Sequence, residues 1–430
     1  MAGLRAVSLR SLGVGRLLVL AAGGVLALYA AAFSFAIIFS GQQPFVTMAI
    51  VPWHSTAPTD VADKLMVAVA QEKFREAGGR DAELAARMTA LLSRVGPSLP
   101  AEKAAPIRKL ALDGLSQSAL NSAALRQLAF LEKDEIKRKR LLDLALQVSR
   151  RDVLAGVQSA EMKFLDNRPD AGLADLDRAL TVSVKADDLV LPIILQASSD
   201  PQARAQIKRR VARNPLWIER LVRYGIDNPA FAPRVADIVS AIPARSTARA
   251  PGYGQQLIDI LVGAREYRAA FEVYDVYSPA RQAVAHIGRG AFRPIDWQLT
   301  DNYDAGGREL SEREADIFAS PGRQGEVARI LMRSPPGNYR FALRVRDVES
   351  AEGRLTFNML CLQGKQESQG ASLSLPLRQG RLRFDYRVPT TGCSYQWLIL
   401  GVGAELDSAA ALLDSFSLSR EPAPAAAPGN

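Results

Sequence analysis

Three patterns of hydrophobic and polar positions follow one another along the chain. Residues 17–39 form an apolar run without a charged residue. In 59–279 apolar residues recur at three- and four-residue steps, whereas in 291–420 they alternate with polar residues over several short stretches. These periods predict a transmembrane helix, an α-helical domain and an all-β antiparallel sandwich, in that order.

The apolar run from Leu17 to Phe39 has the length of a membrane span. Its 23 residues would rise about 34 Å as a helix, and the hydrocarbon core of a bilayer is about 30 Å thick. A cleavable signal peptide has a shorter apolar stretch, so an anchor in the lipid bilayer is favoured, and a cleaved signal stays the alternative.

The charges around this run predict its orientation. Three arginines precede it, and no Lys or Arg follows in 40–59; the three are Arg5, Arg10 and Arg16. The positive-inside rule therefore predicts a cytoplasmic segment 1–16 and an exported remainder. Arg- and Ala-rich composition suggests a Gram-negative bacterium, so we expect a single-pass inner-membrane protein whose bulk is periplasmic.

Residues 40–58 are predicted to be a juxtamembrane linker. Three prolines interrupt them, and their apolar residues show no clear helical period. Because the segment is still apolar, it either rests at the membrane interface or docks on the next domain. Trp53 suits the interface, where an amphipathic indole ring is favoured.

The helical region contains a short internal sequence repeat. Six residues recur 34 positions later, pairing as Leu142/Leu176, Asp143/Asp177, Ala145/Ala179, Leu146/Leu180, Val148/Val182 and Ser149/Ser183. This is the period of tetratricopeptide repeats, and the segment with Tyr267, Ala270, Tyr274 and Pro279 looks like the second helix of another such repeat. The region therefore resembles divergent tetratricopeptide-like repeats, which implies a concave surface for a protein partner. An ordinary helical bundle is the alternative.

Two stretches in the C-terminal region alternate strictly. Tyr339, Phe341, Leu343 and Val345 are separated by polar or small residues, and the same pattern holds for Leu382, Phe384, Tyr386 and Val388. These are strands with one buried face. Further candidate strands are 326–333, 354–362, 393–401 and 412–419.

The segments PPGNYRFALRV, GRLRFDYRV and LLDSFSLSR give this region, from Pro294 to Arg420, a resemblance to a family. It resembles the galactose-binding-like jelly rolls found in many carbohydrate-binding modules. The resemblance implies contact with an acidic or neutral polysaccharide. The remaining residues 421–430 have the composition of a disordered tail.

Charge and cysteine content narrow the partners. The formal net charge is +9, of which 1–58 carry +3 and 291–430 carry −1, so the helical part carries +7. Export makes nucleic acid an unsuitable partner, which leaves anionic headgroups or acidic envelope glycans. Two His and two Cys nearly exclude clustered His/Cys zinc sites. Cys361 and Cys393 are expected to form a disulfide, with two buried free thiols as the alternative.

Chemistry-bearing motifs do not indicate an enzyme. The chain has no nucleophile elbow, phosphate loop, dinucleotide fingerprint or HExxH zinc motif. Neither His54 nor His286 has neighbouring residues that would complete a catalytic triad or a metal site. No cofactor and no metal are predicted, although sequence alone leaves open a hydrolase with an unrecognised carboxylate pair.

Two sets of residues are candidate ligand contacts. Arginines alternate on the outward faces of two strands, as Arg340, Arg344, Arg346, Arg381, Arg383 and Arg387. In one sheet they would form a cationic patch for carboxylate or phosphate groups, or else a solvated face that discourages edge pairing. Tyr395 and Trp397, on one strand face with Cys393, would stack on sugar rings or else belong to the core.

The expected function is therefore non-enzymatic. The helical repeats would recruit a protein partner, and the sandwich would contact glycan during assembly or export of an envelope polysaccharide. The polysaccharide connection is what the resemblance of the C-terminal region implies. A pure protein–protein scaffold and an unrecognised glycoside hydrolase are the alternatives.

Overall fold

The computed structural model describes residues 14–39, 42–51, 53–76, 95–278, 290–311, 314–349, 352–364 and 366–420. They group into two compact units, Met1–Ala197 and Ser198–Asn430. The predicted tail 421–430 and most of the predicted segment 1–16 lie outside the described residues. The second unit holds the last helices together with the strands, and the predicted boundary between 279 and 291 stays a prediction.

The regular secondary structure in the described residues of the first unit is helical. Its helices in chain order are α1 (Val14–Phe39), α2 (Pro44–Ile50), α3 (Ala57–Glu76), α4 (Ala101–Gln117), α5 (Ser122–Leu131), α6 (Glu135–Val148), α7 (Val153–Leu165), α8 (Pro169–Val182) and α9 (Asp187–Ala197).

Helix α1 is long and apolar enough to cross a membrane. The window Ala21–Phe39 has a mean hydropathy of 2.1, and only 6% of it is buried. Helix α2 lies within 40–58, the segment that the sequence assigned to a juxtamembrane linker without a clear helical period. A seven-residue helix completes only about two turns, so its apolar spacing is too short to show a period.

Short polar side chains set where several helices begin. Asn121, Asp134, Asp152 and Asp200 each accept a hydrogen bond from a backbone N–H in the first turn of the following helix. Such caps satisfy donors that the helix itself cannot pair.

The residues that recur with a period of 34 lie at equivalent places in successive helix pairs. Helix α5 packs with α6 and α7 packs with α8, and the recurring residues lie toward the C-terminal ends of α6 and α8. Leu142 and Ala145 are buried in the first copy, as Leu176 and Ala179 are in the second. The tetratricopeptide type of these pairs stays a prediction.

Arg126 on α5 joins three helices of the first unit. Its side chain is buried, and its two Nη atoms donate to the Asp63 carboxylate on α3 at 3.0 and 2.7 Å. Its Nε lies 3.1 and 3.2 Å from the two oxygens of Asp152, the cap of α7. Burial opposes the charged guanidinium, but the two carboxylates outweigh it and raise the pKa of Arg126.

The second unit begins with helices and ends with strands. Its helices are α10 (Pro201–Val211), α11 (Ile218–Asp227), α12 (Ala232–Val239), α13 (Pro251–Gly263) and α14 (Tyr267–Tyr277). Its strands are β1 (Gln298–Leu299), β2 (Ala305–Ser311), β3 (Glu314–Ala319), β4 (Gln324–Met332), β5 (Gly337–Arg346), β6 (Arg354–Gln363), β7 (Gln366–Pro376), β8 (Gly380–Val388), β9 (Tyr395–Gly403) and β10 (Ala409–Arg420).

The strands form two antiparallel sheets, as the alternating pattern predicts. The first sheet has the order β1-β4-β9-β6-β7 and the second the order β2-β3-β10-β5-β8. Their inner faces share one core, in which Phe341 lies 5.2 Å from Phe357, 4.7 Å from Phe384 and 4.4 Å from Phe416 between ring centroids. The sandwich is therefore confirmed.

The disulfide between Cys361 and Cys393 is also present. It links β6 to the segment before β9, and these two strands are neighbours in the first sheet. Both sulfurs lie in the core of the sandwich. Cys393 precedes β9 and faces inward, so the expectation that it shares a face with Tyr395 and Trp397 was wrong.

Candidate functional site

The six predicted arginines lie on one face of the second sheet. In the antiparallel pairing of β5 with β8, Arg340 is opposite Asp385, Ala342 opposite Arg383, and Arg344 opposite Arg381. Side chains alternate across a strand, so even-numbered residues of β5 and odd-numbered residues of β8 point outward together. The outer face of these two strands, called the arginine face below, carries Arg340, Arg344, Arg346, Arg381, Arg383 and Arg387.

Carboxylates neutralise the β5 half of the arginine face. Arg340 donates two hydrogen bonds to Asp385, at 2.8 and 2.9 Å. Arg346 contacts Glu314 at 2.5 Å and Asp414 at 2.7 Å, and Arg344 lies 3.5 Å from Asp414. The hydrogen bonds from Arg340 hold the pKa of the Asp385 carboxyl below its usual range.

The β8 half of the arginine face is not neutralised in this way. Arg381, Arg383 and Arg387 are exposed, and none forms an ion pair with another residue in the described part of the chain. We call these three residues the β8 arginine strip. Arg381 also lies directly opposite Arg344, an arrangement of like charges that destabilises a strand pair.

The strip runs along β8, which is an edge strand. It ends the second sheet, with β5 on its only paired side. Adjacent outward side chains on a strand are about 7 Å apart, so Arg381 and Arg387 are separated by about 20 Å along the strand. Each guanidinium presents a planar set of donors that suits a carboxylate, sulfate or phosphate.

The predicted aromatic pair lies elsewhere, on the outer face of the first sheet. Tyr395 packs against helix α14, with its ring centroid 5.8 Å from that of Tyr267 and 5.6 Å from that of Phe271. Arg329 lies over the ring of Trp397 at 5.3 Å. Both aromatic residues are half-buried, and burial raises the pKa of Tyr395.

These contacts agree with the packing role that the sequence left open for the aromatic pair. An ion pair of 3.1 Å joins Asp275 on helix α14 to Arg333, which directly follows β4, and a second of 3.4 Å joins Arg265, in the turn before α14, to Glu367 on β7. The structure thus does not bring Tyr395 and Trp397 together with the arginines, and their role as a sugar platform stays a prediction.

Three acidic residues of this site were not predicted as part of it. Asp385, Glu314 and Asp414 decide which arginines are neutralised. Asp385 interrupts the arginines of β8 in the sequence, which is a visible signal. Glu314 and Asp414 lie on β3 and β10, and only the pairing of the strands brings them near β5.

A small cavity adjoins the arginine face on its inner side. It has a volume of about 120 Å³ and opens between the inner sides of β6, β7 and β8; its walls include Phe357, Met359, Leu373, Phe384 and Tyr386. Burial raises the pKa of the Tyr386 hydroxyl well above its usual range. The sequence identified Phe384 and Tyr386 as buried positions, but nothing in it indicated a cavity.

Of the two histidines, His54 falls within the described residues. His54 is buried, with Nδ1 3.3 Å from the hydroxyl of Thr56. His286 lies outside the described residues. Within the ranges that the structure describes, no group of three or more His, Cys, Asp or Glu side chains is placed to hold a metal ion.

Comparison with known proteins adds structural neighbours at low similarity. No protein-family model matches the chain, and no curated protein matches it. Among solved structures, a family 4 carbohydrate-binding module is 12% identical over 31% of this chain and 93% of its own, with a TM-score of 0.22. A family 61 module in complex with β-1,4-galactotriose is 12% identical over 33% and 97%, with a TM-score of 0.23. A family 16 module is 12% identical over 32% and 97%, with a TM-score of 0.22. Similarity at this level carries no argument about what this chain binds.

Proposed function

We propose that this protein is a non-enzymatic, membrane-anchored envelope protein whose sandwich binds an anionic polysaccharide along the β8 arginine strip. The helices of the first unit would dock a protein partner during assembly or export of that polysaccharide. The observation that carries the proposal is the division of the arginine face, in which the β5 arginines are neutralised and the β8 arginines are not.

Electrostatics favours an anionic ligand for this strip. Hydrogen bonds to charged groups contribute roughly 1.5–3 kcal/mol each, more than neutral ones. Arg381, Arg383 and Arg387 can each offer a bidentate contact without first breaking an ion pair with a described residue. Arg340 would have to leave Asp385 before it could bind a ligand in the same way.

The length of the strip favours a polymer over a small anion. One carboxylate reaches one guanidinium, or two adjacent ones about 7 Å apart, whereas the strip extends over about 20 Å. A chain with repeated carboxylate groups can contact all three arginines at once. Because the contacts share one ligand, the second and third are made at high effective concentration.

The accessibility of the two outer faces of the sandwich also favours the arginine face as the binding surface. Helix α14 covers the outer face of the first sheet around Tyr395, and the ion pair between Asp275 and Arg333 helps to hold it there. The arginine face has exposed side chains at five of its six arginines. An extended polymer therefore has direct access to the second sheet.

The test is calorimetric titration of the full chain in detergent micelles with polygalacturonate and with its uncharged methyl ester. Wild-type protein should bind the acid form, less tightly as salt is raised, because ions screen exposed charges. The triple variant Arg381→Ala/Arg383→Ala/Arg387→Ala should bind at least about tenfold more weakly, which corresponds to ~1.4 kcal/mol. The control Arg151→Ala/Arg209→Ala/Arg213→Ala removes the same charge at exposed positions elsewhere and should bind like wild type.

Several results would contradict this proposal. An equal loss of affinity in the triple variant and in the control would show that binding depends on net charge and not on the β8 arginine strip. Binding of the methyl ester that is insensitive to salt and lost with Trp397→Ala would move the site to the first sheet. No binding of either polymer would leave a protein scaffold, and new reducing ends after incubation would show a hydrolase.

A further inference from the structure

The chain reverses direction after helix α1 and returns along it. Backbone N–H groups of Gln42 and Gln43 donate to the carbonyl of Phe39, at 3.1 and 2.7 Å, and α2 then begins. Beyond α2, the ring of Trp53 stacks on that of Tyr29, with centroids 6.2 Å apart and planes 5° apart. Trp53 therefore lies beside the middle of α1, ten residues before its end.

This returning segment exposes large apolar side chains. Phe45 is 52% exposed, Ile50 47% and Trp53 54%. Helix α1 also exposes apolar side chains toward its end, namely Phe33, Ile37 and Ile38. In water such a continuous apolar surface would be unfavourable, and surfaces of this kind mark interaction sites.

The absence of charge extends beyond the span itself. No Asp, Glu, Lys or Arg occurs in residues 17–59, which include α1, α2 and Trp53. The first cation after this stretch, Lys64, donates to the carbonyl of Gln42 at 2.6 Å, at the turn that ends α1. Polar contacts therefore lie on both sides of this apolar stretch: at the turn, and directly after Trp53, where the Thr56 hydroxyl is 3.3 Å from His54 Nδ1 and the Asn121 amide donates to the Ser55 carbonyl at 3.1 Å.

The length of α1 places Trp53 relative to the bilayer. If Arg16 stays at the inner boundary of the hydrocarbon core, a core of about 30 Å accommodates roughly 20 helical residues and ends near Ala36. Tyr29 is seven residues earlier, so it and Trp53 lie about 10 Å below the outer boundary. Apolar faces of interfacial helices reach a comparable depth of about 5–10 Å.

We infer that α2 and Trp53 are inserted in the outer leaflet beside α1, where their exposed side chains contact lipid acyl chains. The inference rests on the membrane anchor of the proposed function. Lipid is the occupant that the continuity with α1 and the lack of charge favour. A second copy of the chain or another protein would cover the same face without exposing it to lipid.

Quenching of Trp53 fluorescence tests this insertion in the full chain, reconstituted in phosphatidylcholine nanodiscs with bromine on the acyl chains. The emission of Trp53 is the difference between wild type and Trp53→Phe. We expect acyl-chain bromine to remove most of that emission and aqueous iodide to leave it unchanged. In the control Trp53→Phe/Tyr303→Trp, the reporter replaces a side chain that is 95% exposed in the second unit, and iodide should quench it while bromine does not.

A second pair of variants tests the apolar contacts directly. Phe45→Glu/Ile50→Glu should reduce bromine quenching of Trp53, because two carboxylates disfavour insertion. The control Ile136→Glu/Val184→Glu changes two similarly exposed apolar residues of the first unit and should leave the quenching unchanged.

The outcomes separate the inference from its premise. If alkaline carbonate extracts the chain from membranes, the anchor itself fails. If the chain resists extraction but iodide quenches Trp53, α2 lies in water and only the inference fails. If neither iodide nor bromine reaches Trp53, a protein covers this face and the inference is again wrong.

Discussion

Replacing Arg126 with Met should destabilise the first unit strongly. The change keeps most of the apolar stem and removes the guanidinium, which donates to Asp63 on α3 and to Asp152 at the start of α7. Breaking a buried ion pair by removing one partner costs about 3–5 kcal/mol, because the remaining charge is left uncompensated. We expect the lower end, since Asp63 is partly exposed and still accepts a hydrogen bond from Gln127.

The same reasoning predicts a rescue. In Arg126→Met/Asp63→Asn/Asp152→Asn no charge is left unpaired, and Asn at 152 can still cap α7. This triple variant should therefore recover most of the stability lost in Arg126→Met. The matched surface control is Arg340→Met, which removes an exposed Arg–Asp pair and should cost less than about 1 kcal/mol.

Hydrogen exchange of peptides from α3 to α7 is the suitable assay, because two units make a single unfolding midpoint ambiguous. The free energy of opening in these helices should fall by about 3 kcal/mol in Arg126→Met. Exchange no faster than in Arg340→Met, or a triple variant as unstable as the single one, would refute the role given to the buried charges.

Three further predictions concern the second unit. Reducing the disulfide should lower the free energy of unfolding by about 3–4 kcal/mol, given the separation of 32 residues between its cysteines; thermal unfolding with and without reductant measures this, and Cys361→Ala/Cys393→Ala should not respond to reductant. Asp385→Asn should release Arg340 and tighten binding of polygalacturonate in calorimetry, whereas unchanged or weaker binding would show that the β5 arginines do not contribute. Burial raises the pKa of Tyr277 to about 12, so its neutral form is favoured in the folded state; stability should fall as pH rises from 10 to 12, by about 2–3 kcal/mol, and Tyr277→Phe should flatten that part of the unfolding profile.

The sequence predicted the elements whose hydrophobic pattern is long or strictly periodic. The alternation in β5 and β8 was sufficient to assign all six arginines to outward faces, because a side-chain period of two leaves no other choice. It was not sufficient to assign the partners of these arginines. Those depend on strand order and register, which place Asp385 opposite Arg340 and bring Asp414 from β10 to Arg346.

Elements without a clear period escaped prediction. Strand β7 is an edge strand with mostly exposed residues, so its sequence lacks the apolar alternation of a half-buried strand. Helix α14 was expected as part of a repeat, yet it packs Tyr267 and Phe271 on the first sheet. No local pattern reports such a contact, because it joins residues more than a hundred positions apart.

Edge protection alone does not account for the β8 arginine strip. Edge strands commonly carry a charge that prevents pairing with another chain. Strand β7, the other edge beside it, has eleven residues and one charged side chain, Glu367, which is paired with Arg265. Strand β8 has nine residues. Besides Asp385, which is paired with Arg340, it carries Arg381, Arg383 and Arg387, and Arg381 lies opposite Arg344. Because one charge suffices on the longer edge, the additional like charges on β8 favour a surface that an anion completes.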